Sequence, residues 1–264
     1  MIAPKSTILI TGASGGIGEA FAHLAAADGH SLILAARNEK ELSRVAGVVT
    51  AKHQVPVNIV PCDLAKPDGV SALADDLARR NSVPDVVINN AGFGLVGKAA
   101  GLDREDQLGM IDLNIRALSD LTLRFLPAML EKMSGGIINV ASTAGFMPGP
   151  GMAVYFASKN YVTAFTDALH HEVRGSGVTI TSLCPGPVIT GFQARAGMRA
   201  MTRGLLSNTM TAEDAASAGW IGFKAGKRCV VPGVVNVLST LAGRMLPRAI
   251  VLPIAARAVK GMRQ

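Results

Sequence analysis

Residues 6 to 36 constrain the fold more than any other stretch of the chain. Ser6 to Ile10 is a short β-rich run leading into Thr11-Gly12-Ala13-Ser14-Gly15-Gly16-Ile17-Gly18. An alanine-rich helical stretch follows from Glu19 to Asp28, stopped by Gly29, and then a second apolar run from Ser31 to Ala36. Strand, glycine-rich turn, helix and strand make one βαβ unit with a right-handed connection. Gly12, Gly16 and Gly18 divide the work of such a turn. One allows the tight bend, one lets backbone N–H groups approach a pyrophosphate, and one lets the helix pack closely on the sheet. The phosphates then rest at a helix N-terminus, where unpaired N–H groups and the helix dipole favour an anion.

The alternation continues. Val57 to Pro61 reads as a third strand, with Asp63-Leu64 just beyond it, and Gly69 to Arg80 as a helix. Asp85 to Ile88 reads as a fourth strand running into Asn89-Asn90-Ala91-Gly92. Asp103 through Asn114 to Met133 reads as helical, interrupted at Pro127. A strand over Ile137–Val140, a helix over about Val154–Val173 and a strand over Val178–Leu183 come next, the last ending in Cys184-Pro185-Gly186-Pro187. Thr211 caps a helix over Ala212–Gly226, and Lys227–Val231 reads as the last strand. The pattern predicts an α/β chain: a doubly wound Rossmann fold whose mostly parallel sheet has seven strands and helices on both faces.

No linker or repeat marks a boundary, so residues 1–233 read as one catalytic domain. Residues 234–264 read as an apolar and basic helical extension, packed on that domain or at an interface. There Val234, Leu238, Leu241 and Met245 form one apolar stripe and Ile250, Ile254 and Ala258 another, with Pro247 and Pro253 expected to break the continuity.

The second strand ends in Ala35-Ala36-Arg37-Asn38, where no carboxylate is available. An acidic residue there would hydrogen-bond the adenosine 2′-hydroxyl of NAD, whereas an arginine suits the 2′-phosphate of NADP. Ser14 offers a further hydroxyl. NADP(H) is therefore the expected cofactor in preference to NAD(H).

Chemistry is carried by Ser142-x12-Tyr155-x3-Lys159. Tyr155 and Lys159 leave one helix face a turn apart. A phenol has an unperturbed pKa of about 10, and an ammonium held beside it favours the phenolate, moving it toward working pH. Ser142 falls at the carboxyl end of the buried run 136–141, where open α/β sheets bind their ligands. A hydroxyl, a phenol and an ammonium can thus converge on one substrate oxygen.

These residues resemble the short-chain dehydrogenase/reductase family over roughly residues 5 to 232. Thr11-Gly12-x3-Gly16-x-Gly18 is similar to its cofactor loop, Asn89-Asn90-Ala91-Gly92 to its sheet motif, and Tyr155-x3-Lys159 to its active-site motif. Asn114 lies 28 residues before Ser142, as is usual in that family. The resemblance implies that Tyr155 is the general acid or base. It implies that Lys159 lowers the Tyr155 pKa and holds the nicotinamide ribose, that Ser142 holds the substrate oxygen, and that Asn114 anchors a water in a proton relay. It also implies cofactor contacts from Gly12, Ser14, Gly15, Gly16, Ile17, Gly18, Arg37, Asn38, Asp63, Leu64, Asn90, Ala91 and Gly92. Tyr155, Lys159, Pro185, Gly186, Val188 and Thr190 complete that set, with Asp63 at the adenine and Thr190 at the carboxamide. The expected reaction interconverts a carbonyl and a secondary alcohol. Family members are often dimers or tetramers built on the helices carrying Asn114 and Tyr155, so a homo-oligomer is expected.

Phe93, Phe146, Met147, Met152 and the 191–205 segment are the expected walls of an apolar substrate pocket for a ketoacyl, steroid-like or similar carbonyl. Residues 191–206 are expected to form a lid. With 49% apolar and 17% charged residues, disorder is excluded. No transmembrane run or signal-peptide core is read, so a cytoplasmic protein is expected. Cys62, Cys184 and Cys229 read as buried free thiols rather than as a disulfide, and no histidine has a partner at metal-ligand spacing, so no metal is expected. The net charge of +7 is uneven. No acidic residue follows Asp214, while eight basic ones do; taking these from the 26 leaves 18 against 19 acidic residues. A near-neutral body argues against nucleic acid as a partner. The basic tail suits an anionic lipid surface or an acidic acyl carrier, or else serves as a subunit contact. A non-catalytic NADP-sensing regulator and a lipid-surface scaffold are the alternatives compatible with this fold.

Overall fold

Side chains along a strand alternate between faces, and the two cores follow that alternation. Ile8 and Ile10 of β1 (Thr7–Thr11) and Leu32 and Leu34 of β2 (Ser31–Ala36) enter one cluster. Leu9 and Ile33 of the same strands enter the other. The computed structural model describes residues 3, 5–198 and 209–261. With β3 (Val57–Pro61), β4 (Val86–Asn89), β5 (Gly136–Val140), β6 (Thr179–Leu183) and β7 (Cys229–Val230), the sheet has seven strands in the order β3-β2-β1-β4-β5-β6-β7. Every neighbouring pair is parallel. Strands covered on both faces are predominantly apolar, as β1, β2 and β4 are.

The first cluster is covered by α1 (Gly16–Ala27), α2 (Glu39–His53) and α8 (Ala212–Lys224), through residues such as Phe21, Val45 and Trp220. The second is covered by α3 (Gly69–Arg79), α5 (Leu118–Glu131) and α6 (Ala153–Glu172), through Leu73, Phe125 and Leu169. The chain steps outward from β1 to β3, then returns to the other side of β1 at β4. That reversal opens a crevice beyond the carboxyl ends of β1 and β4.

Several local expectations are corrected. Pro127 does not interrupt its helix: α4 (Arg104–Ile111), a π-helical stretch over Asp112–Ala117 and α5 follow without a break, with Pro127 inside α5. The carbonyl that loses its partner belongs to Leu123, on the exposed side, where water replaces the missing N–H. Pro247 does separate α9 (Val234–Met245) from α10 (Arg248–Lys260), but Pro253 sits within α10, again opposite an exposed residue, Ala249. The last strand is only two residues long. All three cysteines are free, with the Cys184 and Cys229 Sγ atoms 3.8 Å apart. In α9 the buried residues are Asn236, Thr240 and Gly243, so the Val234–Leu238–Leu241–Met245 stripe is turned outward.

Candidate active site

The glycine turn is fastened to the end of β4 by hydrogen bonds. The Thr11 hydroxyl accepts from the backbone N–H groups of Asn90 and Ala91, both at 3.0 Å. The Asn90 side-chain amide donates to the carbonyls of Thr11 (2.9 Å) and Gly12 (3.1 Å). Gly12 has φ +65° and lies where a Cβ would press on Ala91 Cα at 2.9 Å. A Cβ on Gly18 would overlap the Gly12 carbonyl oxygen and reach 2.7 Å from Asn90 Nδ2. Gly15 differs: a Cβ there meets no protein atom within 4 Å, yet the residue lines the crevice at the start of α1. What Gly15 leaves open is therefore open to a ligand, and a pyrophosphate at this N-terminus fits the space and the charge. Gly18→Ala is expected to lose about 1–3 kcal/mol of stability through overpacking. Gly15→Ala should unfold like the wild type yet bind dinucleotide more weakly. Denaturant unfolding and thermal shift with NADPH check both.

Below the turn lies one cavity of about 690 Å³. It gathers the predicted residues from six chain segments. Gly12, Ser14, Gly15, Gly16 and Ile17 come from the turn, Arg37 and Asn38 from beyond β2, and Asp63 and Leu64 from beyond β3. Asn90, Ala91 and Gly92 follow β4, Ser142, Tyr155 and Lys159 follow β5, and Pro185, Gly186, Val188 and Thr190 follow β6. Gly18 and Asn114 stand outside the lining. Gly18 does its work in helix packing, as its contacts with Gly12 require. Asn114 is 1% exposed and clasps the chain beyond β4: its Oδ1 accepts from Phe93 N (3.1 Å), and its Nδ2 donates to Phe93 O (2.9 Å) and Ser158 Oγ (3.1 Å). The π-helical turn carries it there, a departure from regular helix that often marks functional positions.

Asn38 both lines the cavity and caps α2, its Oδ1 accepting from Glu41 N at 3.2 Å. Arg37 Nη1 lies 4.0 Å from Asp63 Oδ2, with more than half of the arginine side chain exposed. That leaves the guanidinium at the cavity rim with no carboxylate on its own strand end.

At the other end, Met147, Met152, Met198 and Phe192 of the short α7 (Phe192–Arg195) are walls, as expected, joined by Phe156 and Ala258. Phe93 and Phe146 are not walls but core residues, 8% and 6% exposed. Phe146 is sealed in with Leu118, Val162 and Cys184, with the Arg244 guanidinium 4.6 Å from its ring centre. Half of the proposed lid lies outside the described residues: 199–206, including Met201, Gly204, Leu205 and Leu206, are not among them.

Ser142 Oγ accepts from Ala144 N (3.1 Å) and donates to Pro185 O (3.4 Å), which fixes its rotamer. Lys159 is 6% exposed; its Nζ donates to Val140 O at 2.8 Å and lies 5.9 Å from the Tyr155 ring centre. The expected depression of the Tyr155 pKa is reversed. Burial pushes it up to about 12, against a smaller downward pull from the Ser142 hydrogen bond. Burial also pushes Lys159 down to about 8. The Lys159 ammonium, turned to a backbone carbonyl and 5.9 Å from the ring centre, exerts no offsetting pull, so desolvation decides the sign.

For Lys159 the folded pKa is below the usual 10.5. The unfolded chain therefore binds more protons between about pH 8 and 10.5, and this residue's cost to folding falls as pH rises through that window. Relative to Lys159→Met, the wild type should gain about 2 kcal/mol in unfolding free energy between about pH 7 and 9.5, as measured by urea titration.

Residues 6–200 match the family model described as short chain dehydrogenase. The chain is 36% identical over 217 residues to the sulfoacetaldehyde reductase of Chromohalobacter salexigens, covering 79% of this chain and 84% of that one. Among solved structures it is similar to a short-chain dehydrogenase from Sphingobium yanoikuyae in complex with NADPH, at TM-score 0.81 and 30% identity, covering 90% of this chain and 92% of that one. It is likewise similar to one from Burkholderia phymatum in complex with NAD, at TM-score 0.80 and 27% identity, covering 89% and 92%. A doubly wound fold with this crevice defines an oxidoreductase of the Rossmann class. More narrowly, the chain belongs to the short-chain dehydrogenase family.

Proposed function

We propose that this enzyme is an NADP(H)-dependent oxidoreductase that interconverts a carbonyl and a secondary alcohol, with Tyr155 as general acid and base. The observation that carries this reading is the convergence of Ser142, Tyr155 and Lys159 in the same cavity as the glycine turn and Arg37. When bound, the nicotinamide supplies or accepts the hydride. The chain supplies the rest. In reduction the Tyr155 hydroxyl donates its proton to the carbonyl oxygen, and the Ser142 hydroxyl hydrogen-bonds the same oxygen as negative charge develops on it. Lys159, charged below about pH 8, stabilises the phenolate left behind. A hydroxyl held up to about 12 stays protonated at neutral pH, which suits reduction. Alcohol oxidation needs the phenolate and should quicken with rising pH.

Arg37 at the rim, without a carboxylate at 35–38, supports NADP(H) over NAD(H). Met147, Met152, Phe156, Phe192 and Met198 support an apolar carbonyl substrate. Exposed Leu108, Leu123 and Tyr161 on the helices adjoining Asn114 and Tyr155 support a homo-oligomer. The test is a thermal-shift comparison of NADPH with NADH, followed by turnover of a carbonyl panel running from sulfoacetaldehyde and sugars to long-chain and polycyclic ketones. Best turnover of the small polar members rejects the apolar substrate. No turnover of any member, with NADPH still protecting the fold, leaves a nucleotide-sensing regulator instead.

A further inference from the structure

Among the described residues, ten of the twenty large apolar side chains that stand exposed lie between Val234 and Ile254. They are not scattered. Val234, Leu238, Leu241 and Met245 form one outer stripe of α9, exposed at 77%, 60%, 51% and 74%, and Ile250 and Ile254 stand exposed on α10 at 46% and 60%. An ordinary surface helix buries its apolar side; α9 instead turns Asn236, Thr240 and Gly243 to the body. These polar and small residues are built in. A Cβ on Gly186 would overlap the Asn236 side chain, and one on Gly243 would come 2.9 Å from Met147 Cε. The helix is therefore locked with its apolar face outward. An exposed apolar stripe of this kind marks an interaction surface.

Charge identifies the occupant. Arg248, Arg257 and Lys260 flank the stripe, and no acidic residue occurs anywhere after Asp214. A second copy docked through the same face by a two-fold axis would bring these cations together with nothing in the tail to offset them. An anionic lipid surface meets both halves of the pattern: the aliphatic residues enter the acyl boundary, and the long basic side chains reach back to the headgroups. No helix among the described residues is long and apolar enough to cross a bilayer, so the pair would lie in the interface. The inner side of the same pair belongs to the active site. Ala258 lines the cavity, and Val259 packs with Met152 and Met198.

We propose that α9 and α10 dock this enzyme on an anionic membrane surface. The docking does not rest on the carbonyl-reductase reading, and its test needs neither cofactor nor substrate.

The full chain is sedimented with vesicles of phosphatidylcholine alone and of phosphatidylcholine with one-third phosphatidylglycerol, in low and high salt. Partitioning into the anionic vesicles should be about tenfold stronger or more in low salt, and Leu238→Glu/Ile254→Glu should remove most of it. That variant alters only exposed positions, so its thermal unfolding and NADPH protection should match the wild type, and Tyr155→Phe should bind vesicles as the wild type does. Equal partitioning of the wild type and the double variant overturns docking, as does no sedimentation with either vesicle. So does a self-association of the wild type that the double variant abolishes, which assigns the face to a second copy. Strong binding of an acyl carrier protein without any vesicle binding overturns it in favour of that partner.

Discussion

Replacing Tyr155 by phenylalanine is expected to lower kcat/KM for carbonyl reduction by about 10²- to 10⁴-fold, the usual worth of a positioned proton donor. The substitution removes one oxygen and keeps the ring. That ring packs on Phe192, with centroids 5.5 Å apart, and on Phe156 at 6.1 Å, so the wall of the cavity survives. Protection by NADPH should accordingly change little. Ser142→Ala should cost less, because it removes a hydrogen bond to the developing oxyanion and not the proton itself. The double variant should be hardly worse than Tyr155→Phe alone, since two groups acting on one oxygen are not additive. Initial rates with NADPH and any ketone the wild type accepts decide the matter. A loss smaller than about fivefold would remove Tyr155 from the chemistry and require another donor.

The fold was legible because the central strands β1, β2 and β4 are covered on both sides and read as largely apolar runs between turn signals. In the crevice, the glycine turn, Arg37 and the Ser142, Tyr155 and Lys159 set had a physical reason for their placement, whereas Asn90, Asp63, Asn114 and the 185–190 residues came only through the family resemblance. What the chain hid depends on direction and depth. Periodicity announced a stripe at Val234, Leu238, Leu241 and Met245, but which face turns inward is decided by Asn236 and Gly243 fitting against Gly186 and Met147. Phe146 and Phe156 are both aromatic and both near the site motif, yet one is sealed in the core and the other lines the cavity. Pro127 and Pro253 read as breaks, but each frees a carbonyl at an exposed residue, where water substitutes. Nothing in Asp112-Leu113-Asn114-Ile115-Arg116-Ala117 distinguishes a π-helical turn from a regular one. The sign of the Tyr155 shift was hidden for the same reason. An ammonium four residues away lowers a phenol's pKa only if its pull exceeds the cost of burial, and that depends on how deep both groups lie.

Arg37→Ala is expected to weaken NADPH by about 10- to 100-fold while leaving NADH nearly unchanged, the difference being one charge-assisted pair with the 2′-phosphate. Arg37 is well placed for that loss to be clean. It stands at the rim, mostly in solvent, and its protein partner is Asp63 at 4.0 Å, a distance at which an exposed pair contributes little to stability. The folded chain should therefore melt near the wild-type temperature. Adding Ala36→Asp would place a carboxylate at the end of β2, where it can accept hydrogen bonds from the ribose hydroxyls of NADH and repel a 2′-phosphate. The double variant should then prefer NADH, because attraction for one nucleotide and rejection of the other now act together. Rising ionic strength should erode the wild-type preference for NADPH and leave NADH binding in the variant almost untouched, since only the former rests on a solvent-exposed charge pair. Equal loss of both nucleotides in Arg37→Ala would instead assign the guanidinium to the adenine end in general, and the 2′-phosphate would have to be read by Ser14 and the α2 N-terminus.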